Sequence, residues 1–207
     1  MDGLPFPLPE GMLAELQAAY ATPPRAYHDF GHVREVLRHY ADVAAGPGWH
    51  RPAEVALAIL YHDAIYVAGR GDNEERSAAL AAGRIPHWLP DAGIDLARVV
   101  ELIRLTARHG SFEPGDFPAD ADGDDTRRFL DCDMAILGAA PEVFDAYDRG
   151  IAAEYRGHVP GWLFRMRRRA FLKGLLAKER IFLSGEFHAR YDAAARANLR
   201  RAVSAKR

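Results

Sequence analysis

One cysteine, Cys132, occurs in the 207 residues. A single thiol makes no bridge within a chain, so no disulfide framework supports this fold, and a reducing cytoplasmic setting is the expectation. No apolar run approaches the roughly 18 residues of a membrane span, so no membrane partner is expected. Residues 1–10 hold neither a basic cluster nor an apolar stretch, and no secretion signal is expected from them. An excess of one charge is also lacking: the net charge of −2 gives no general attraction for nucleic acid. Aromatic residues are nowhere interleaved with basic ones in the manner of a base-stacking platform, so nucleic acid is not expected as a partner. Neither a Gly-rich phosphate loop nor a G-x-S-x-G nucleophile is present. Alternating strand patterns are missing as well.

What remains is helical spacing in almost every segment. Apolar side chains make up 49% of the chain, enough for one substantial core and better suited to one domain than two. Residues 9–20 place Met12, Leu13, Leu16 and Ala19 on one face. The next helix runs to about Ala44 and is capped either by Thr22, with Pro23 in its first turn, or by Asp29. Further helices are expected from Asp72, over 94–109 with Gly110 as the stop, over 125–137, 141–156, 160–182 and 185–203. Asp72 with Glu75 three residues on has the pattern of a capping box. Residues 111–123, rich in Pro, Gly and Asp, are the one irregular stretch. The expectation is an all-α, single-domain orthogonal bundle of about nine helices spanning residues 1–207, with no internal repeat.

Residues 53–60 (Ala-Glu-Val-Ala-Leu-Ala-Ile-Leu) are apolar on nearly every face, which marks a buried helix. It ends in His62-Asp63. A buried, unpaired carboxylate costs several kcal/mol, roughly, after relaxation, so a partner is needed, either a neighbouring side chain or a metal cation. Upstream lies Tyr27-His28-Asp29-Phe30-Gly31-His32, and downstream Phe129-Leu130-Asp131-Cys132-Asp133.

The order His, then His-Asp, then a distant Asp resembles the HD-domain phosphohydrolases, whose signature is H…HD…D on separate helices. Residues 25–28, 72–77 and 182–199 further resemble a bacterial branch of predicted metal-dependent HD phosphohydrolases. The resemblance implies an HD-type bundle with a metal-site core over about 24–138 and C-terminal helices over about 141–203 packed on it. It implies that His32, His62, Asp63 and Asp133 hold one divalent ion: Mn, Fe, Co, Ni, Zn or Mg. It implies hydrolysis of a phosphomonoester or phosphodiester of a small, nucleotide-like substrate, or else a nucleotide-binding regulatory module with little turnover. A homodimer is left open.

Asp131 and Asp133 point about 200° apart on a helix, so one ion takes only one of them. The family pattern selects Asp133 and leaves Asp131 to orient a histidine behind the ligands or to face solvent. Cys132 reads as a small core residue. His28, one turn before His32 if the helix starts early, either orients substrate or adds a ligand, or else stands at the surface or behind the ligands. Glu75 is either a general base alongside Asp63 or part of the capping box. His109 either supports the ligands, serves a second ion as in some HD branches, or complements a helix dipole. Arg25 is placed to grip a phosphate. The basic run at 165–169, with Lys173, Lys178 and Arg180, is a solvated face or a phosphate contact. Residues 120–124 look calcium-like, but their glycine is misplaced for an EF-hand.

Overall fold

The computed structural model describes residues 3–205. Among them are nine α-helices and no β-strand: α1 (Glu10–Tyr20), α2 (Phe30–Ala45), α3 (Pro52–Tyr61), α4 (Asn73–Trp88), α5 (Leu96–Thr106), α6 (Ala121–Met134), α7 (Pro141–Glu154), α8 (Gly161–Ala177) and α9 (Gly185–Ser204). Short 3₁₀ turns lie at Pro114–Asp116 and Ala135–Gly138. No described helix is long and apolar enough to cross a membrane.

The centre of the body is α3. Pro52 sits in its first turn, where the missing N–H costs nothing. Every residue from Val55 to Tyr61 is buried, so α3 has no solvent face and is enclosed by α2, α4, α5 and α6. At the far end of the chain, α9 packs on α8 and on the Ala135–Gly138 turn.

Several boundaries differ from the sequence reading for identifiable reasons. Asp29, not Thr22, caps α2, accepting from the backbone N–H groups of Gly31 and His32. Asp72 precedes α4, but its carboxylate is taken by Arg70 at 2.7 Å, so no capping box forms. The segment 120–124 is no cation loop. Asp120 caps α6 through Gly123 N–H at 2.8 Å, Asp122 pairs with Arg51 at 2.7 Å, and Asp124 pairs with Arg127 at 2.6 Å. The expected 160–182 helix stops at Ala177, and residues 178–184 turn back over α6.

One glycine decides how α7 sits. A Cβ on Gly150 would lie 3.1 Å from the Ala26 carbonyl and from Tyr27 Cβ. Its absence lets α7 lie directly against the 26–28 loop.

The fold also carries one acid-sensitive group. His39, on α2, has only 4% of its side chain exposed. Burial, and then the charge of Arg38, lower its pKa from 6.5 to about 4, against the pull of Glu35 and Asp42. A histidine neutral when folded but chargeable when unfolded stabilises the fold above about pH 6.5. That contribution is lost as pH falls towards about 4, on the order of 3 kcal/mol in all. Denaturant melts of wild type and His39→Phe at pH 7 and 4.5 should show a steeper acid loss for wild type. Parallel losses would exclude His39 as the source.

Candidate metal centre

The end of α3 is held in place before any ligand is considered. His62 Nδ1 lies 2.8 Å from the Ile59 carbonyl. A carbonyl only accepts, so Nδ1 carries the hydrogen and Nε2 faces the centre of the bundle. The turn after it is bound from two sides. Ser77 Oγ accepts from Ile65 N–H at 3.0 Å and donates to the Ile65 carbonyl at 3.2 Å. Asn73 bridges the N–H and C=O of Val67 at 3.0 and 3.1 Å. Asn73 and Ser77, one turn apart on α4 and both buried, are positioning residues within the 72–77 stretch, to which the sequence reading assigned no individual role.

Four side chains converge there. His32 comes from the first turn of α2, His62 and Asp63 from the end of α3, and Asp133 from the last turn of α6. His32 Nε2 and His62 Nε2 are 3.1 Å apart. Asp63 Oδ2 is 3.2 Å from His62 Nε2 and 3.7 Å from His32 Nε2. Asp133 Oδ1 is 3.1 Å from His32 Nε2 and 3.7 Å from His62 Nε2. One donor atom each from His32, His62 and Asp63 lies within 4.8 Å of the others, a group able to hold a metal ion.

The donor set fits a cation. The two nitrogens and the carboxylate of His32, His62 and Asp63 are donor types that divalent ions accept. Donors at about 2.0–2.2 Å from one ion stand roughly 3.0–3.5 Å from each other, close to the 3.1–3.7 Å spacing here.

The electrostatics agree. Burial disfavours charge on His62, but Asp63 and Asp133 outweigh it and lift its pKa to about 9. Burial opposes ionisation of Asp63 and Asp133, yet the surrounding imidazoles, His62 first for Asp63 and His109 first for Asp133, hold both below the usual carboxylate range. The imidazoles thus supply the positive charge beside the two carboxylates, in the place a cation would take.

His109, just past the end of α5, meets Asp133 through Nδ1–Oδ2 at 2.6 Å, leaving Oδ1 for the centre. It supports the ligand rather than merely complementing a dipole. His28 Nδ1 lies 2.7 Å from Glu154 Oε2, and its ring lies against Tyr66 with centroids 4.2 Å apart. Glu154 Oε1 accepts from the backbone N–H groups of Ala26, Tyr27 and His28 at 3.0, 2.8 and 2.9 Å. Burial would raise the Glu154 pKa, but His28 and these amides bring it down to about 2. The sequence reading missed Glu154 entirely, because nothing local marks a residue that acts 126 positions away.

Three expected site residues lie elsewhere. Glu75 pairs with Arg104 through two 2.7 Å bonds at the surface; its neighbour Glu74 lines the cavity instead. The α4 register turns position 75 outward. Arg25 is consumed by backbone carbonyls: His28 at 2.8 Å, Asp63 at 2.6 Å, Ala19 at 3.0 Å and Ala64 at 2.9 Å. It fastens the ligand turn and has no open fork for a phosphate. Asp131 orients no histidine and is not solvated. It accepts from Leu183 and Ser184 N–H at 2.7 Å each and anchors the lead-in to α9.

His62, Asp63 and Asp133 line a cavity of about 400 Å³ whose other walls include residues 66–74 and parts of α5, α6, α7 and α8; His32 lies behind them and is not part of the lining. No family model, curated protein or solved structure matches this chain.

Proposed function

We propose that this protein is an HD-type metal-dependent phosphohydrolase acting on a phosphomonoester or phosphodiester of a small molecule. The observation that carries this reading is the buried convergence of His32, His62, Asp63 and Asp133, the last three lining a cavity large enough for such a substrate. These four side chains would hold one divalent ion: Mn, Fe, Co, Ni, Zn or Mg. Such an ion supplies Lewis acidity towards a phosphoryl oxygen and lowers the pKa of water.

The chain's own residues do the rest. Asp63, one of the carboxylates that line the cavity, is the one we assign to accept a proton there. Glu75, tied to Arg104, has no part. His28, fixed by Glu154 through Nδ1, forms part of the cavity wall. Tyr27, against both His28 and His32, closes the site on that side.

Elemental analysis of gently purified protein is expected to find one divalent ion per chain. Chelation should remove hydrolysis of small phosphoesters, and added Mn, Co, Ni or Mg should restore it. The stripped protein should melt roughly 5–10 °C lower, since an ion at about a hundred times its Kd stabilises the fold by about 2.7 kcal/mol. Metal-free protein with full activity would end the proposal.

A further inference from the structure

Beyond the metal cluster, the cavity has a composition that bears on what is attached to the phosphate. Six aromatic side chains line it: Tyr27, Tyr66, Tyr147, Tyr155, Phe164 and Phe171. Tyr155 and Phe164 rings lie 5.2 Å apart, and Tyr27 and Tyr147 rings 4.6 Å apart, so the walls are packed panels rather than scattered rings. No asparagine or glutamine occurs among the described lining residues. A nucleobase carries fixed donors and acceptors, and burying them unpaired costs about 1–3 kcal/mol each. Two of the four tyrosine hydroxyls already have charged neighbours: Tyr66 lies beside Glu154 and Tyr147 beside Arg168.

One polar atom on the α8 wall stands out. Arg168 pairs with Asp148 at 3.1 Å and lies over the rings of Tyr147 and Phe171 at 5.0 and 5.6 Å. Its Nη2 is buried without a hydrogen-bond partner. Buried donors are normally satisfied, and Arg168 is one of the residues lining the cavity, so a ligand oxygen bound there would be the partner this nitrogen lacks.

We propose that the substrate is a phosphoester of a flat, apolar alcohol, aryl rather than nucleoside, with an oxygen-bearing substituent that reaches Arg168. The inference rests on the phosphoester reading of the cluster and adds the class of the group esterified. The ring would stack between the aromatic panels, and the phosphoryl group would lie at the His62–Asp63 end.

Calorimetric titration of Mn-loaded protein with non-hydrolysable phosphonates tests it. Phenylphosphonate is expected to bind at least roughly tenfold more tightly than methylphosphonate, from ring burial and stacking. A carboxyphenylphosphonate should bind more tightly again, and adenosine 5′-phosphonate no better than phenylphosphonate. Phe164→Ala should bring the phenyl-to-methyl ratio towards one. Equal affinity for the phenyl and methyl compounds, or a preference for the nucleoside, would overturn the proposal. Because phosphonates are bound but not cleaved, aryl preference without hydrolysis of any phosphoester would refute the hydrolase reading alone. Hydrolysis without aryl preference would refute only the substrate class.

Discussion

Asp133→Asn is expected to lose the bound ion and essentially all turnover, whereas Asp131→Asn keeps the ion and loses stability. The two carboxylates leave α6 in nearly opposite directions. Asp133 spans from His32, 3.1 Å from Oδ1, to His109, 2.6 Å from Oδ2. An amide there keeps the shape but removes one of the two negative charges that compensate a cation in a buried site. Asp131 serves the backbone of residues 183 and 184. Burial raises its pKa to about 7, against the two N–H groups that favour the anion. Asparagine offers one oxygen where two N–H groups need acceptors, which leaves a buried donor unpaired at about 1–3 kcal/mol. Melting should therefore fall by roughly 2–12 °C. Metal content and melting, measured on both variants, decide the matter. An empty site in Asp131→Asn with a filled one in Asp133→Asn would place the fourth ligand two residues earlier.

Arg25→Ala should be among the most destabilising single changes in the chain, on the order of 3–5 kcal/mol. One guanidinium serves four carbonyls on three separate stretches, and it lies over Tyr20 and Tyr66 at 5.1 and 5.7 Å. Removing it leaves those acceptors unpaired beside the ligand turn. Arg25→Lys keeps the charge but not the fork, and should recover less than half the loss. A phosphate-gripping arginine would behave differently: the lysine variant would melt normally and raise KM. Melting temperature and KM at reduced temperature separate the two roles. A normal melt with a raised KM would restore Arg25 to the substrate.

The helices were legible because an apolar period of 3.6 survives on nearly every one of them. The continuous burial of α3 was legible for the same reason, since only a helix without a solvent face has apolar residues all round. The His32, His62-Asp63 and Asp133 positions were legible as an ordered set of ligating residue types, and the fold brings those four together. The roles of Arg25, Asp131 and Glu154 were not legible. Each binds main-chain groups, which every residue possesses and which therefore leave no trace in the sequence. Glu75 failed for another reason. Spacing gives distance along a helix but not its rotation about the axis, and at 74 and 75 that rotation decides which carboxylate faces the cavity. The cap at Asp72 failed because Arg70, two residues away, competes for the same oxygens.

Glu154 lies downstream of all four ligands, yet it alone gathers the three amides and the imidazole of the 26–28 loop. During synthesis, at about 5–20 residues per second, His32, His62, Asp63 and Asp133 are all made before the residue that shapes the wall beside them. A growing chain therefore holds the whole cluster while the 26–28 loop is still without its carboxylate. Only when α7 settles, with Gly150 against Ala26, is that loop tied down. The cluster and the wall next to it are completed by different stretches of the chain, in that order.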